Sequence, residues 1–240
     1  MKTLINLIQS FRLSVSIPAA LLVHVGFNIS YQPTNWLLVA TVLIGCASTM
    51  LQNDYFDKEH DKKKQKCFVS ENSKLIFLIL ILMWSTVLGI IWLRLNDKLI
   101  LSLLTFIGLS YSFARHVLLF PSILVSLASA FPVLLPSIHI MQNNNLILFI
   151  GVASAIFGRE LLKDIEDKLV DSGYKKTLLS ESIITEKFAH RLASLCILAG
   201  IICNLCLLKY LNAKGLILCI AGTILLTVSI ELNLSKRFLL

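Results

Sequence analysis

Long apolar segments constrain this chain more than any other feature. Eight of them, each close to the length that spans a bilayer, occupy most of its 240 residues. A transmembrane helix needs about 20 apolar residues, and helices satisfy their own backbone hydrogen bonds inside lipid. The predicted helices are residues 13–31, 35–56, 75–95, 98–114, 117–139, 145–164, 188–209 and 214–232. The sequence therefore predicts an all-α, polytopic transmembrane bundle of about eight helices.

The composition agrees with a membrane protein and excludes an ordinary soluble domain. Hydrophobic residues make up 56% of the chain, charged residues 15%, and the mean hydropathy is +0.80, whereas charged residues form about 25% of soluble domains. No segment has the pattern of a cleavable signal peptide. The sequence therefore predicts a multi-pass protein of the cell inner membrane.

The net charge of +8 is explained by membrane topology rather than by a nucleic-acid partner. With the predicted spans, 18 of the 22 Lys and Arg residues fall on one side of the membrane. Basic residues accumulate on the cytoplasmic side of membrane proteins. An even number of spans then places both termini in the cytoplasm.

Acidic residues concentrate in two places on that cytoplasmic side. Of the 14 acidic residues, 12 lie between residues 54 and 71 or between residues 160 and 186. Each group follows an even-numbered predicted helix, the second and the sixth. The spacing suggests one domain, residues 1–240, built from similar halves at about 1–115 and 116–240. Four prolines are expected to kink or interrupt the spans, namely Pro18, Pro121, Pro132 and Pro136.

The first acidic group forms a stripe at the end of the second predicted helix. Asn53, Asp57 and Asp61 are spaced i, i+4 and i+8, with Asp54 beside them, so a helix projects them from one face. Two carboxylates about 5 Å apart repel by roughly 3 kcal/mol at an effective dielectric near 20. A bound cation would relieve that repulsion.

The second acidic group repeats this arrangement at the end of the sixth predicted helix. Glu160, Asp164, Asp167 and Asp171 are spaced i, i+4, i+7 and i+11, which is again one helical stripe. Both stripes leave the membrane on the same side. In a compact bundle they are expected to face each other across a cavity.

Two opposed carboxylate clusters suit magnesium, which binds a few carboxylates and keeps positions for water and phosphate. A diphosphate would bridge the clusters, and the apolar bundle below would hold a lipid tail. Neighbouring basic side chains would neutralise phosphate oxygens; the candidates are Arg115, Lys163, Lys168, Lys175 and Lys176. The competing interpretation is that the stripes are solvated, charge-mixed helix ends. Two stripes at helical spacing on one side favour the metal site.

The residues of both stripes also resemble known motifs. Asn53-Asp54-x-x-Asp57-x-x-x-Asp61 is similar to the first aspartate-rich motif of the UbiA superfamily of intramembrane prenyltransferases, and Asp167-x-x-x-Asp171 is similar to the second. The stretches 158–160, 163–167 and 176–178 resemble the family's sixth helix and the loop after it. Tyr111-Ser112, followed by Arg115, resembles a further motif at the end of the fourth helix.

The resemblance implies a helical bundle and a magnesium-dependent reaction. The enzyme would ionise an isoprenyl diphosphate and pass the prenyl cation to a small acceptor, aromatic or other. Two magnesium ions would be bound. Asn53, Asp57 and Asp61 would hold one ion, and Asp164, Asp167 and Asp171 would hold the other. The residues implied to bind the diphosphate or the acceptor, besides the catalytic Arg115, are Arg12, Asn53, Asp54, Tyr111, Ser112, Lys163 and Lys176.

The chain departs from the family pattern at three points. Family members usually have nine helices, whereas eight are predicted here. The run 62–66, which is rich in lysine, stands where an arginine-proline pair is common. Val170 and Ser172 flank the last aspartate of the second motif in place of glycine and arginine. These changes predict a divergent acceptor site.

Two other functions remain open from the sequence. The same fold and metals would serve an intramembrane terpene cyclase, in which the cation is quenched within its own chain. A non-catalytic metal-binding or transport protein is the third hypothesis. A transporter is expected to carry ionisable residues at membrane depth, and the centres of the predicted helices are nearly free of them.

Overall fold

A computed structural model describes residues 2–59, 68–117, 121–137, 142–168, 177, 179 and 181–207, with the backbone alone for residues 2–5, 114–117 and 167. Within these residues the chain forms nine α-helices, one 3-10 helix and no strand. The predicted helical membrane bundle is confirmed. The elements are α1 (Lys2–Ser10), α2 (Leu13–Ile29), α3 (Trp36–Phe56), α4 (Phe68–Glu71), α5 (Ser73–Arg94), α6 (Lys98–Val117), α7 (Pro121–Ala130), the 3-10 helix (Phe131–Ser137), α8 (Asn143–Asp167) and α9 (Glu186–Leu207).

Four helices, α3, α5, α8 and α9, are long and apolar enough to cross a membrane. In each of these helices, between 22% and 39% of the most apolar 18-residue stretch is buried inside the protein. The remaining surface carries large apolar side chains, such as Leu82, Leu93 and Leu195, that are 64% to 80% exposed. A helix that is apolar all round requires an apolar environment on its outer side as well. The bilayer supplies that environment.

The predicted spans differ from the observed helices mainly at the prolines. The predicted span at 117–139 is divided, because α7 begins at Pro121 and gives way to the 3-10 helix at Phe131. Pro132 and Pro136 lie in that 3-10 helix, where an α-helix would lose hydrogen bonds. In contrast, α2 continues through Pro18. The predicted span at 214–232 lies outside the described residues.

Two short helices, α1 and α4, were not predicted. The side chains of Leu7 and Phe11, at and after the end of α1, pack against a cluster that contains Leu51 of α3 and Ile76 of α5. α1 is thereby fixed across the end of the bundle where α3 ends and α5 begins. We call this the acidic end, because it carries Asn53, Asp57 and Asp164.

The largest core cluster joins α2, α3, α5, α6 and the 3-10 helix through side chains such as Val23, Leu38, Trp84 and Leu135. α8 and α9 form the other half of the bundle and approach each other closely at glycines. A Cβ atom on Gly158 of α8 would lie 2.6 Å from the backbone oxygen of Ala193 on α9. This approach fixes the position of α8, which carries the second acidic stripe.

Candidate active site

The first motif begins in the last turn of α3. Asn53 and Asp57 are one turn apart and are only 4% and 9% exposed, and the Asp57 N–H donates to the Asn53 carbonyl oxygen at 2.9 Å. α3 ends at Phe56, and Asp61 lies outside the described residues. The observed part of the predicted stripe is therefore the buried pair Asn53 and Asp57, whose side chains offer an amide and a carboxylate oxygen.

Arg12 lies against the first motif, in the break between α1 and α2. Its guanidinium Nη2 is 2.5 Å from Oδ1 of Asp54. The backbone of Arg12 has φ 45°, a left-handed conformation that is uncommon for a residue with a side chain. Such a conformation persists where the surrounding structure holds it, and here the packing of α1 does so. Arg12 therefore places a permanent positive charge beside the first motif.

Ser112 of α6 connects the first motif to the tyrosine-serine motif. Its hydroxyl donates to Oδ1 of Asn53 at 2.5 Å, and both side chains are buried. The Ser112 hydroxyl also accepts a hydrogen bond from Nε2 of Gln52 at 3.2 Å. The end of α6 is thus joined to the end of α3 at the first motif.

The second stripe lies on α8, which continues to Asp167 rather than ending at 164 as predicted. Glu160 and Asp164 therefore lie on one helical face with Asp167. Ser122 of α7 donates to Oδ2 of Asp164 at 3.4 Å, and Arg159 contacts Glu160 at 2.9 Å. Lys168 directly follows α8, and its Nζ is 3.0 Å from a carboxylate oxygen of Glu186 on α9.

Tyr111 of α6 lies near both motifs. Its hydroxyl is within electrostatic range of Glu160 and Asp164 of the second stripe and of Arg12 beside the first. The next residue, Ser112, bonds Asn53 of the first motif. The acidic groups predicted to face each other therefore flank the same turn of α6.

An apolar cavity of about 330 Å³ extends from this turn into the bundle. Tyr111 and Met50 line it near the acidic end, and Ile91 and Leu101 line it near the opposite ends of α5 and α6. Ten residues of helix separate Tyr111 from Leu101, a rise of about 15 Å. The cavity is therefore deep enough to accept an extended apolar chain whose polar end lies among the acidic groups.

The structure describes the other predicted site residues to different extents. Asp61, Asp171 and Lys176 lie outside the described residues, and Arg115 and Asp167 are described by their backbone alone, in α6 and α8. Lys163 lies on α8 with an exposed side chain. In the part of the chain that is described, no three His, Cys, Asp or Glu side chains gather closely enough to hold an ion. The oxygen donors present there, Asn53, Asp57 and Asp164, are nevertheless of the kind that magnesium prefers.

Three polar residues at the site were not predicted, namely Gln52, Trp84 and Ser122. Trp84 Nε1 donates to Oε1 of Gln52 at 2.9 Å, and Nε2 of Gln52 donates to the Leu109 carbonyl oxygen at 2.6 Å. An amide inside an apolar span needs hydrogen-bond partners. Gln52 could therefore have been recognised in the sequence as a polar residue inside an apolar span. The sequence does not reveal which hydrogen-bond partners the fold supplies.

The chain is similar to a known protein family over most of its length. The model of the UbiA prenyltransferase family matches residues 13–236. No curated protein matches the chain, and no solved structure matches it. The family match spans most of the chain and includes both acidic motifs and the tyrosine-serine motif. The chain belongs to the UbiA prenyltransferase family, whose members are membrane-embedded enzymes that transfer prenyl groups.

Proposed function

We propose that this protein is a magnesium-dependent transferase that moves a prenyl group from an isoprenyl diphosphate to a small acceptor at the acidic end. The observation that carries the proposal is the position of Tyr111, which lies near both acidic motifs and also lines the apolar cavity. A substrate with an apolar tail and a diphosphate head fits both environments. The basic residues on the predicted cytoplasmic side favour an acidic end that faces the cytoplasm.

The diphosphate would be held between the motifs. Asn53, Asp57 and Asp61 would hold one magnesium ion, and Asp164, Asp167 and Asp171 the other. When bound, magnesium neutralises charge that develops on the leaving diphosphate. Arg12 would contact the phosphate oxygens of the diphosphate from the side of the first motif. We propose that Arg115, Lys163 and Lys176 contact its other phosphate oxygens.

The reaction breaks the bond between the allylic carbon and the diphosphate oxygen, and the electron pair leaves with the diphosphate. The resulting prenyl cation forms a new bond to a nucleophilic atom of the acceptor, which then loses a proton. The apolar walls of the cavity exclude water that would otherwise trap the cation. Tyr111 lines the cavity and lies near the acidic groups, so its oxygen is suited to face the allylic carbon.

The proposal is tested with the full chain in proteoliposomes, a series of isoprenyl diphosphates and magnesium. We expect diphosphate release that requires magnesium and stops with a chelator. We expect Asp57→Asn and Asp164→Asn to reduce release by about 100-fold or more, the scale on which a site loses activity with one key electrostatic group. Asp97→Asn is the matched control, because Asp97 precedes α6 at the opposite end of the bundle.

Unchanged release in Asp57→Asn or Asp164→Asn would show that these carboxylates do not hold the metal and diphosphate. Mass spectrometry of the products distinguishes a transferase from a cyclase. A transferase is expected to yield a prenylated acceptor. A cyclised hydrocarbon or alcohol formed without any acceptor would establish the cyclase instead.

A further inference from the structure

A chain of buried hydrogen bonds connects the wall of the cavity to the first motif. It runs from Trp84 on α5 to Gln52 on α3, from Gln52 to Ser112 on α6, and from Ser112 to Asn53 on α3. All four side chains are at most 8% exposed. Three separate helices are therefore joined by one polar connection inside an otherwise apolar region.

The chemistry of the donor groups fixes the direction of each hydrogen bond in this series. The indole N–H of Trp84 can only donate, so Gln52 presents its oxygen to Trp84 and its NH₂ group to the Leu109 carbonyl and to Ser112. Ser112 accepts from Gln52 and has its own proton free to donate. Its distance of 2.5 Å to Oδ1 of Asn53 suits an O–H donor and is shorter than N–H hydrogen bonds usually are. Trp84 and the Leu109 carbonyl together fix the orientation of the Gln52 amide, and this amide in turn sets the direction of the hydrogen bond from Ser112 to Asn53.

Trp84 also contacts the space proposed for the substrate tail. Its ring lines the cavity and lies over Gly108 of α6, where an added Cβ would be 3.2 Å from Cη2 of Trp84. Gly108 is one turn from Ser112 and also lines the cavity. Trp84 therefore has its ring at the level of the tail and its N–H at the start of the connection to Asn53.

We propose that Trp84 is a positioning residue that, through Gln52 and Ser112, holds the Asn53 amide in the orientation needed to bind the metal and diphosphate. This inference rests on the proposed function. Trp84 does not touch the diphosphate, since Gln52 and Ser112 lie between them. Its removal is therefore expected to weaken the binding of a diphosphate that has no tail at all.

The test measures binding rather than turnover, with the full chain in detergent. Inorganic diphosphate is titrated in the presence of magnesium, and its affinity is measured by calorimetry for the unmodified protein, Trp84→Phe and Trp92→Phe. Trp84→Phe keeps an aromatic wall and removes the N–H donor. Trp92→Phe is the matched control, because Trp92 lies on the same helix and is 54% exposed. A threefold to tenfold weaker affinity is expected for Trp84→Phe alone, about the effect of one hydrogen bond.

A second measurement separates this positioning role from a general loss of structure. Ser112→Ala removes the last connection to Asn53, so the double variant with Trp84→Phe should bind diphosphate no more weakly than Ser112→Ala does. Additive losses would overturn the inference, as would an affinity in Trp84→Phe equal to that of the unmodified protein. If the unmodified protein neither binds diphosphate with magnesium nor releases it from isoprenyl diphosphates, the proposed function fails, and this inference fails with it.

Discussion

Arg12 illustrates how one residue at a helix junction serves the site. The sequence placed it near the membrane surface, where a basic residue serves equally well as a topological anchor. Its left-handed backbone and its contact with Asp54 favour instead the role that the family resemblance implies, binding of the diphosphate or the acceptor. A surface ion pair alone contributes little to stability, so we propose that Arg12 acts on the diphosphate rather than on the stability of the fold.

We predict that Arg12→Ala raises the KM for the isoprenyl diphosphate about tenfold, because a cation that binds phosphate is lost. Arg12→Lys should be intermediate, since it keeps the charge but loses the planar fork of donors. Steady-state kinetics measure both. Arg94→Ala is the control, because Arg94 ends α5 at the opposite end of the bundle. A lower unfolding temperature with an unchanged KM would instead assign Arg12 a structural role.

At the scale of helices, the second stripe depends on how closely α8 and α9 pack. Gly151 and Gly158 of α8 meet Cys203 and Ala193 of α9, and Gly200 of α9 meets the backbone of Gly151. In lipid, helices associate by close packing of small residues because no hydrophobic force drives them together. These contacts set the position of Glu160 and Asp164, which lie within two turns of Gly158.

We predict that Gly158→Ala destabilises the protein by about 1–3 kcal/mol, the usual effect of overpacking. The added Cβ would meet the backbone oxygen of Ala193 at 2.6 Å and Cγ1 of Ile197 at 2.8 Å, so α8 and α9 must separate. Unfolding in detergent measures the loss. Gly89→Ala is the matched control, because a Cβ there meets nothing within 4 Å and alanine favours the helix. Equal stability of both variants would contradict this account of the packing.

For the molecule as a whole, we expect the cavity to determine which substrate tails fit. It is bounded by α2, α3, α5, α6, α7 and the 3-10 helix, and it has apolar walls along most of its length. Gly45 of α3 lines it, and a Cβ on Gly45 would meet nothing within 4 Å. A larger side chain there can occupy the cavity without displacing a neighbouring helix.

We predict that Gly45→Leu shifts the preferred substrate towards shorter prenyl tails while leaving the unfolding temperature nearly unchanged. The physical reason is that the leucine side chain takes volume from a cavity of about 330 Å³. Competition between isoprenyl diphosphates of different length measures the preference. Gly89→Leu is the control, since Gly89 also faces open space but is not among the residues that line the cavity. An unchanged preference in Gly45→Leu would place the tail elsewhere.

The sequence alone predicted the helices better than the contacts between them. The span expected at 35–56 agrees with α3 to within one residue, and the span at 98–114 begins with α6. A membrane helix is recognised from local apolar length, because lipid offers no other hydrogen-bond partner. The amphipathic helix α1 was missed, because it lies before the first long apolar span.

Site residues could be predicted from the sequence where one short motif contains them. Asn53 and Asp57 are one turn apart on the chain, so their proximity follows from helical geometry alone. The contact between Ser112 and Asn53 joins residues 59 positions apart, and that between Arg12 and Asp54 joins residues 42 positions apart. No periodicity in the sequence encodes such pairs.

Apolar length and helical spacing are local properties, so the amino-acid sequence was sufficient to predict a bundle of membrane helices with two acidic motifs. The position of Tyr111 near the second stripe and Arg12, and the cavity that begins beside it, depend instead on tertiary contacts. Tertiary contacts also connect Trp84, through Gln52 and Ser112, to Asn53 of the first motif. These features depend on how helices pack, and packing is determined by side chains that meet from distant parts of the chain.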